Sequence, residues 1–152
     1  MITIEVTNEQ STLPVDDRRL RRAVRMILQD ASISTARISL AVVDDPTIHQ
    51  LNRQFLRHDY PTDVLSFALD DSNGKLEGEV IVSADTAASS APHFGWAAED
   101  ELLLYVIHGV LHLVGCLDAD AGQRRRMRQQ ERTYLARFGL EPHDAAGNEE
   151  TP

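Results

Sequence analysis

One cysteine, Cys116, stands in the whole chain, so no disulfide can form within it, and such usage fits a reducing compartment. No apolar run approaches the roughly 20 residues that a membrane-spanning helix requires. The start does not read as a secretory leader either. Met1-Ile2-Thr3-Ile4-Glu5-Val6 alternates as a strand does, with no basic region ahead of an apolar one. The expectation is a cytoplasmic protein with no membrane partner. Positive charge is in deficit as well: 15 Lys and Arg against 24 Asp and Glu leave a net charge of −9, which ill suits a broad phosphate-binding surface. The cations present are gathered, with Arg18, Arg19, Arg21, Arg22 and Arg25 early and Arg124, Arg125, Arg126, Arg128 and Arg132 late. Each run reads either as a phosphate-contacting surface or as a solvated helix face. No internal repeat or low-complexity tract occurs.

What is there suffices for one domain. The 152 residues, 42% hydrophobic and 26% charged, describe an ordinary globular chain with a proper core. After the first strand, Leu20, Val24, Ile27 and Leu28 recur at helical spacing between Pro14 and Ala31. Ile38 to Val43 is a short strand, and Asp44-Asp45-Pro46 starts a helix with Ile48, Leu51 and Phe55 inward and Asn52 and Arg53 on its surface. Tyr60-Pro61 stops that helix. Val64 to Leu69 and Gly78 to Ser83 are strands joined by a hairpin at Asn73-Gly74. Helices follow at Ala84 to Ala91, from Ala97, and from Ala121 to Phe138. The expected fold is α+β: a single domain over 1–140, a four-stranded mixed sheet with about five helices. The polar stretch 141–152 is expected to be a disordered tail.

The chemistry concentrates in His108-Gly109-Val110-Leu111-His112-Leu113-Val114-Gly115-Cys116-Leu117-Asp118. Two histidines four apart on a helix project the same way, one turn above the other, and can reach one cation. Gly115 offers the left-handed conformation that ends a helix, and Asp118 can then swing back as a third ligand. Two imidazoles and a carboxylate leave a fourth tetrahedral position open, the pattern of a catalytic zinc. The oxygen ligand makes other divalent metals more competitive. Histidines on an apolar helix are ordinarily packed core residues. Here Leu102 to Val114 is apolar on nearly all faces, so two imidazoles in it need a partner, and one metal ion per chain supplies it. Cys116 reads as a packing residue and Asp120 as the cap of the next helix. The expectation is a metal-dependent hydrolase.

The run from His108 through Gly115 resembles the signature of the YbeY endoribonuclease family, His-Gly-x-Leu-His-Leu-x-Gly-Tyr-Asp-His. Cys116 and Leu117 stand where that pattern has Tyr and Asp, and Asp118 stands in place of the third His. Pro61-Thr62-Asp63-Val64-Leu65-Ser66-Phe67 resembles the second signature of the same family, in the expected order. The resemblance implies a metzincin-like, metal-binding helix at the centre of the fold. It also implies a zinc-dependent, single-strand-specific endoribonuclease in ribosomal RNA processing, including 16S rRNA 3′ end maturation, and in ribosome quality control. Implied partners are single-stranded and ribosomal RNA, the small ribosomal subunit and its proteins, and a ribosome-assembly GTPase, with no DNA. His108 and His112 would serve in catalysis as well as in metal binding with Asp118. A family arginine lies ahead of the second signature, where this chain has Leu56. Arg57, one place on, is the catalytic candidate, since a guanidinium there would neutralise charge building on a phosphodiester.

Two other readings bear weighing. A ribosome-assembly factor could carry a structural metal and bind RNA without cutting it. A zinc peptidase would share the ligand spacing, but such enzymes carry a Glu general base directly after the first His, where this chain has Gly109. His58 reads as an exposed loop histidine or a proton shuttle, and Thr62 and Asp63 as a turn or cap.

Overall fold

The computed structural model describes residues 1–141; the proposed tail, from 142 on, lies outside them. The elements run β1 (Ile2–Asn8), α1 (Asp17–Asp30), β2 (Thr35–Val43), α2 (Asp45–Leu56), β3 (Val64–Ser72), β4 (Lys75–Ser83), α3 (Ala84–Phe94), α4 (Ala98–Leu113) and α5 (Ala121–Ala136). The strands form one sheet in the order β1-β2-β4-β3. β2 pairs in parallel with both β1 and β4, while β3 runs antiparallel to β4. Asn73 and Gly74, both at positive φ, make the tight turn of that hairpin, as the dipeptide predicts. The expected α+β sheet with five helices is what forms.

Strand periodicity divides the core. Ile38, Leu40 and Val42 of β2 and Leu76, Val80 and Val82 of β4 point to one face, where α1, α3, α4 and α5 cover them. Val43, Leu65 and Ile81 point to the other, against Ile48 of α2. α4 is the central helix: Leu102, Leu103, Val106, Ile107 and Val110 are almost fully buried. On α2 the inward face differs from the one expected. Asn52 is 1% exposed and Phe55 57% exposed. Phe55 lies one turn beyond the small apolar cluster under α2 and meets Phe67 edge-on, at 5.8 Å between ring centres. Asn52 is buried because it holds the chain that follows: its side-chain amide donates to the Tyr60 carbonyl (2.9 Å).

Two glycines set how closely α4 approaches the sheet. A Cβ on Gly109 would stand 2.6 Å from Val80 Cγ1 and 2.9 Å from Val64 Cγ2. One on Gly78 would stand 2.9 Å from Leu113 Cδ1. Ser66 Oγ also donates to the Gly109 carbonyl at 2.9 Å, tying β3 to the helix beside His108. Glycine is therefore required for contact here, against its helix penalty of about 1 kcal/mol. Gly109→Ala gains that propensity but overpacks the helix–sheet contact, at a typical cost of about 1–3 kcal/mol. We expect a lower melting temperature. A variant as stable as the parent would mean that the helix stands off the sheet.

Candidate metal centre

The first turn of α4 carries Glu99, Asp100 and Glu101, where the helix dipole favours anions. Its other end is closed by two backbone bonds, Gly115 N–H to the His112 carbonyl (3.1 Å) and Cys116 N–H to the Leu111 carbonyl (2.9 Å). Together with Gly115 at φ 99° this is a Schellman turn. Cys116 packs against the main core, as expected of it. The reversal carries Asp118 back over the last turn of the helix. Asp120 then caps α5, accepting from Gln123 N–H at 2.8 Å.

Three ligand atoms converge there. His112 Nε2 lies 3.1 Å from His108 Nε2 and 3.2 Å from Asp118 Oδ2, and His108 Nε2 lies 3.5 Å from Asp118 Oδ2. Metal–nitrogen bonds of about 2.0–2.1 Å in a tetrahedron put neighbouring ligands about 3.3 Å apart, so this triangle has the size a small divalent cation needs. The group His108, His112 and Asp118 could hold such an ion. The side chains are about a quarter exposed for the two histidines and 42% for Asp118, so the triangle opens to solvent on the carboxylate side.

A fourth residue, not anticipated from the sequence, completes the arrangement. Glu131 Oε2 on α5 lies 2.6 Å from His108 Nδ1 and is only 14% exposed. With Nδ1–H donated to that carboxylate, Nε2 is left with its lone pair toward the triangle, the tautomer a metal ligand needs. A sequence signal existed: Glu131 is the only acidic residue between Ala121 and Ala136. Its distance in sequence from His108 hid it.

The electrostatics agree. Burial pulls the His108 pKa down, but Asp118 and Glu131, with help from Asp63, outweigh it and push the group up to about 10. Burial and the neighbouring His108 lower that of His112. Hydrogen bonding to His108 overcomes desolvation and holds Asp118 down at about 2. Two carboxylates set against His108 thus favour positive charge at this position.

The remaining candidates lie elsewhere. Arg57 is the C-cap of α2, exposed and in the left-handed region at φ 59°, and is not among the converging groups. Leu56, before it, is 44% exposed. Exposed His58 stacks on Tyr60. Asp63 accepts from Val64 N–H (2.8 Å) and from Thr62 Oγ1 (3.4 Å), contacts to its two neighbours at the start of β3. Of the early arginines, Arg19 pairs with Asp100 (2.6 Å), Arg21 with Asp17 (3.0 Å), and Arg22 lies over the Phe138 ring (4.9 Å). Arg124 reaches the Asp118 and Ala119 carbonyls, while Arg125, Arg126 and Arg132 are exposed.

Comparison with known proteins bears on these residues. The family model described as Endoribonuclease YbeY matches residues 5–139. A protein of that name from Chloroherpeton thalassium is 39% identical over 120 residues, covering 79% of this chain and 84% of the relative. Another, from Carboxydothermus hydrogenoformans, is 37% identical over 141 residues, 90% of this chain and 98% of the relative. The solution structure of TM1509 from Thermotoga maritima is similar at a TM-score of 0.57 and 25% identity, over 90% of this chain and 92% of that one.

Two outcomes follow from the geometry. Glu131→Gln keeps the shape but loses the charged acceptor, and should weaken zinc binding about 10- to 100-fold in competition with a chromophoric chelator; unchanged affinity would remove Glu131 from the site. For the pH dependence, His108 rises from its ordinary 6.5 to about 10 on folding. In chelated protein its contribution to stability is therefore complete below pH 6.5 and lost as pH climbs through 10. The melting temperature with chelator should fall across that interval, and His108→Ala should flatten the fall.

Proposed function

The chain belongs to the YbeY endoribonuclease family, and from that membership we propose that it cleaves single-stranded RNA at a divalent cation held by His108, His112 and Asp118. The observation that carries this reading is the triangle of ligand atoms, 3.1, 3.2 and 3.5 Å on its sides, with Glu131 behind His108. Two nitrogens and one oxygen in a small tetrahedral frame favour zinc, with other divalent metals as competitors because of the carboxylate. When bound, such an ion supplies Lewis-acid chemistry toward a phosphodiester.

The chain's own residues divide the rest of the work. His108 and His112 orient the cation, Glu131 fixes the tautomer of His108, and Asp118 leaves the solvent side open to the substrate. Arg57 is the cation available to the developing charge on the phosphate, offered from the end of α2. Exposed Arg125, Arg126 and Arg132 provide positive charge on α5, the same helix that carries Glu131. The early cluster on α1 is less available, because three of its arginines have partners within the fold. This distribution allows an acidic protein to meet RNA on one side.

The process we propose is ribosomal RNA processing, in particular 16S rRNA 3′ end maturation, together with ribosome quality control. It would take place in the cytoplasm on the small subunit, with its proteins and a ribosome-assembly GTPase as partners, and residues 1–140 would be the working domain. No helix among the described residues is long and apolar enough to cross a membrane. The peptidase reading is disfavoured on steric grounds. Gly109 occupies the position of the peptidase glutamate, and even a Cβ there would meet Val80 at 2.6 Å.

Purified protein should degrade a single-stranded RNA oligonucleotide, lose that activity on chelation and regain it with added zinc. His112→Ala should abolish both bound metal and cleavage; a metal-free variant that still cleaves would refute the mechanism, and intact RNA with full metal occupancy would favour a non-catalytic assembly factor. Arg57→Ala should retain zinc and lower kcat/KM by about 100-fold; full activity would return the role to another cation.

A further inference from the structure

Six large hydrophobic side chains are exposed among the described residues, and three of them, Phe55, Leu56 and Tyr60, fall within one six-residue stretch. Tyr60 is 52% exposed, yet its ring is ordered by a neighbour. The His58 ring lies nearly parallel to it, at 10° and 5.4 Å between centres, with His58 Nδ1 3.2 Å from the Tyr60 hydroxyl. Two nearly parallel, offset rings at the surface, both exposed, offer π-faces on which a third planar group can stack.

The backbone under the pair is fixed by one buried residue. The Asn52 carbonyl accepts from the N–H groups of both Arg57 and His58, the latter at 3.2 Å, and the Asn52 side chain donates to the Tyr60 carbonyl. Its Oδ1 has no hydrogen-bond partner among the described residues, although it is buried. The amide is thus committed to Tyr60 at the expense of its own acceptor, and Arg57 takes a left-handed conformation that arginine ordinarily avoids. Unfavourable local geometry kept in a surface loop points to a use for the loop's shape.

Charge and position name the occupant. Arg53 and Arg57 form no ion pair among the described residues, whereas Asp59, the acid nearest them in the loop, is held by His49 at 2.8 Å. The stretch is therefore aromatic with unspent positive charge, the combination on which unpaired bases and their phosphates bind. It is also close to the metal centre. Tyr60 is four residues, at most about 14 Å of chain, from Val64, whose methyl group stands against Gly109 beside His108.

We infer that the His58–Tyr60 ring pair, braced by Asn52 and flanked by Arg53 and Arg57, is a stacking platform for an unpaired base of the RNA substrate. This deepens the reading given under Proposed function and rests on it. The platform would hold one base without reading its identity, because every base has a π-face. It would favour single strands over duplexes, whose bases are already stacked on each other.

The test uses full-length, zinc-loaded protein and a fluorescein-labelled single-stranded RNA dodecamer. Tyr60→Ala should raise Kd by about 5- to 150-fold, the range of one lost base–aromatic stack. Zinc stoichiometry and melting temperature should stay at the parent's values. Tyr60→Trp should restore binding, and its emission should be quenched as RNA is added. An RNA of the same length with abasic positions throughout should bind the parent and Tyr60→Ala alike. Parent-like affinity in Tyr60→Ala, with RNA bound and cleaved normally by the parent, overturns the platform and leaves the endoribonuclease reading intact. A parent protein that neither binds nor cleaves the RNA overturns that reading first, and the platform with it.

Discussion

The contact between Gly109 and the sheet decides what the rest of the molecule can do. With no side chain at that position, α4 settles directly on Val80 and Val64, and Ser66 bonds to its backbone. The neighbouring residues of the helix are placed with it. Val106 and Val110 go into the core, while His108 and His112 keep about a quarter of their side chains exposed. A helix seated further out would expose its apolar flank and separate His108 from Glu131. Packing and site geometry are here one constraint. A substitution at Gly109 is for that reason a change to the candidate metal centre as well as to the core.

The second organising feature is the cost of burying imidazoles. Desolvation alone would lower both histidines, and it does lower His112. Around His108 the balance is reversed by two carboxylates approaching from different elements, Asp118 after the Schellman turn and Glu131 from α5. Each carboxylate is worth having near the histidines only if something positive is shared among them. A protein of net charge −9 that places two acids against two partly buried imidazoles has built a local demand for a cation that its overall composition does not reveal.

Much of this was legible before any coordinates. The i, i+4 histidines, the glycine turn and the returning Asp118 follow from the 3.6-residue period and the left-handed preference of glycine, both local rules. The hairpin at Asn73-Gly74 and the central position of an all-apolar α4 follow in the same way. What escaped was whatever depends on partners distant in sequence. Glu131 looks like one polar residue on an arginine-rich surface helix until α5 is laid across α4. Asn52 looks like helix surface because apolar periodicity assigns inward faces by hydrophobicity. It is buried for a polar reason, to hold the Tyr60 carbonyl, and Phe55 loses its inward place because the apolar cluster under α2 ends one turn earlier. Gly109 was read as part of the signature and for the catalytic glutamate it replaces, not for its packing. Its steric role needs Val80, which lies about 30 residues away in the chain.

The two departures from the family signatures bear on each other. On the proposed reading, a carboxylate among three ligands cancels one of the two charges of a divalent cation, where a third imidazole would cancel none. Less positive charge is then left to share with a phosphodiester, and the demand on neighbouring cations rises. On the same proposed reading, the displaced arginine would answer this in an unexpected geometry. Leu56 fills the arginine slot at the helix end, and Arg57 follows in a left-handed conformation, a backbone state that redirects the side chain relative to a residue still inside α2. Asn52 stabilises that redirection from below through the Arg57 and His58 amides. A site with a weaker Lewis acid and a repositioned guanidinium would depend more on Arg57 than one with three neutral ligands. Restoring His at 118 should therefore lessen the penalty of losing Arg57. Such a dependence between two positions in different loops is what coupling through one phosphate would produce, and independent structural roles would leave the two effects additive.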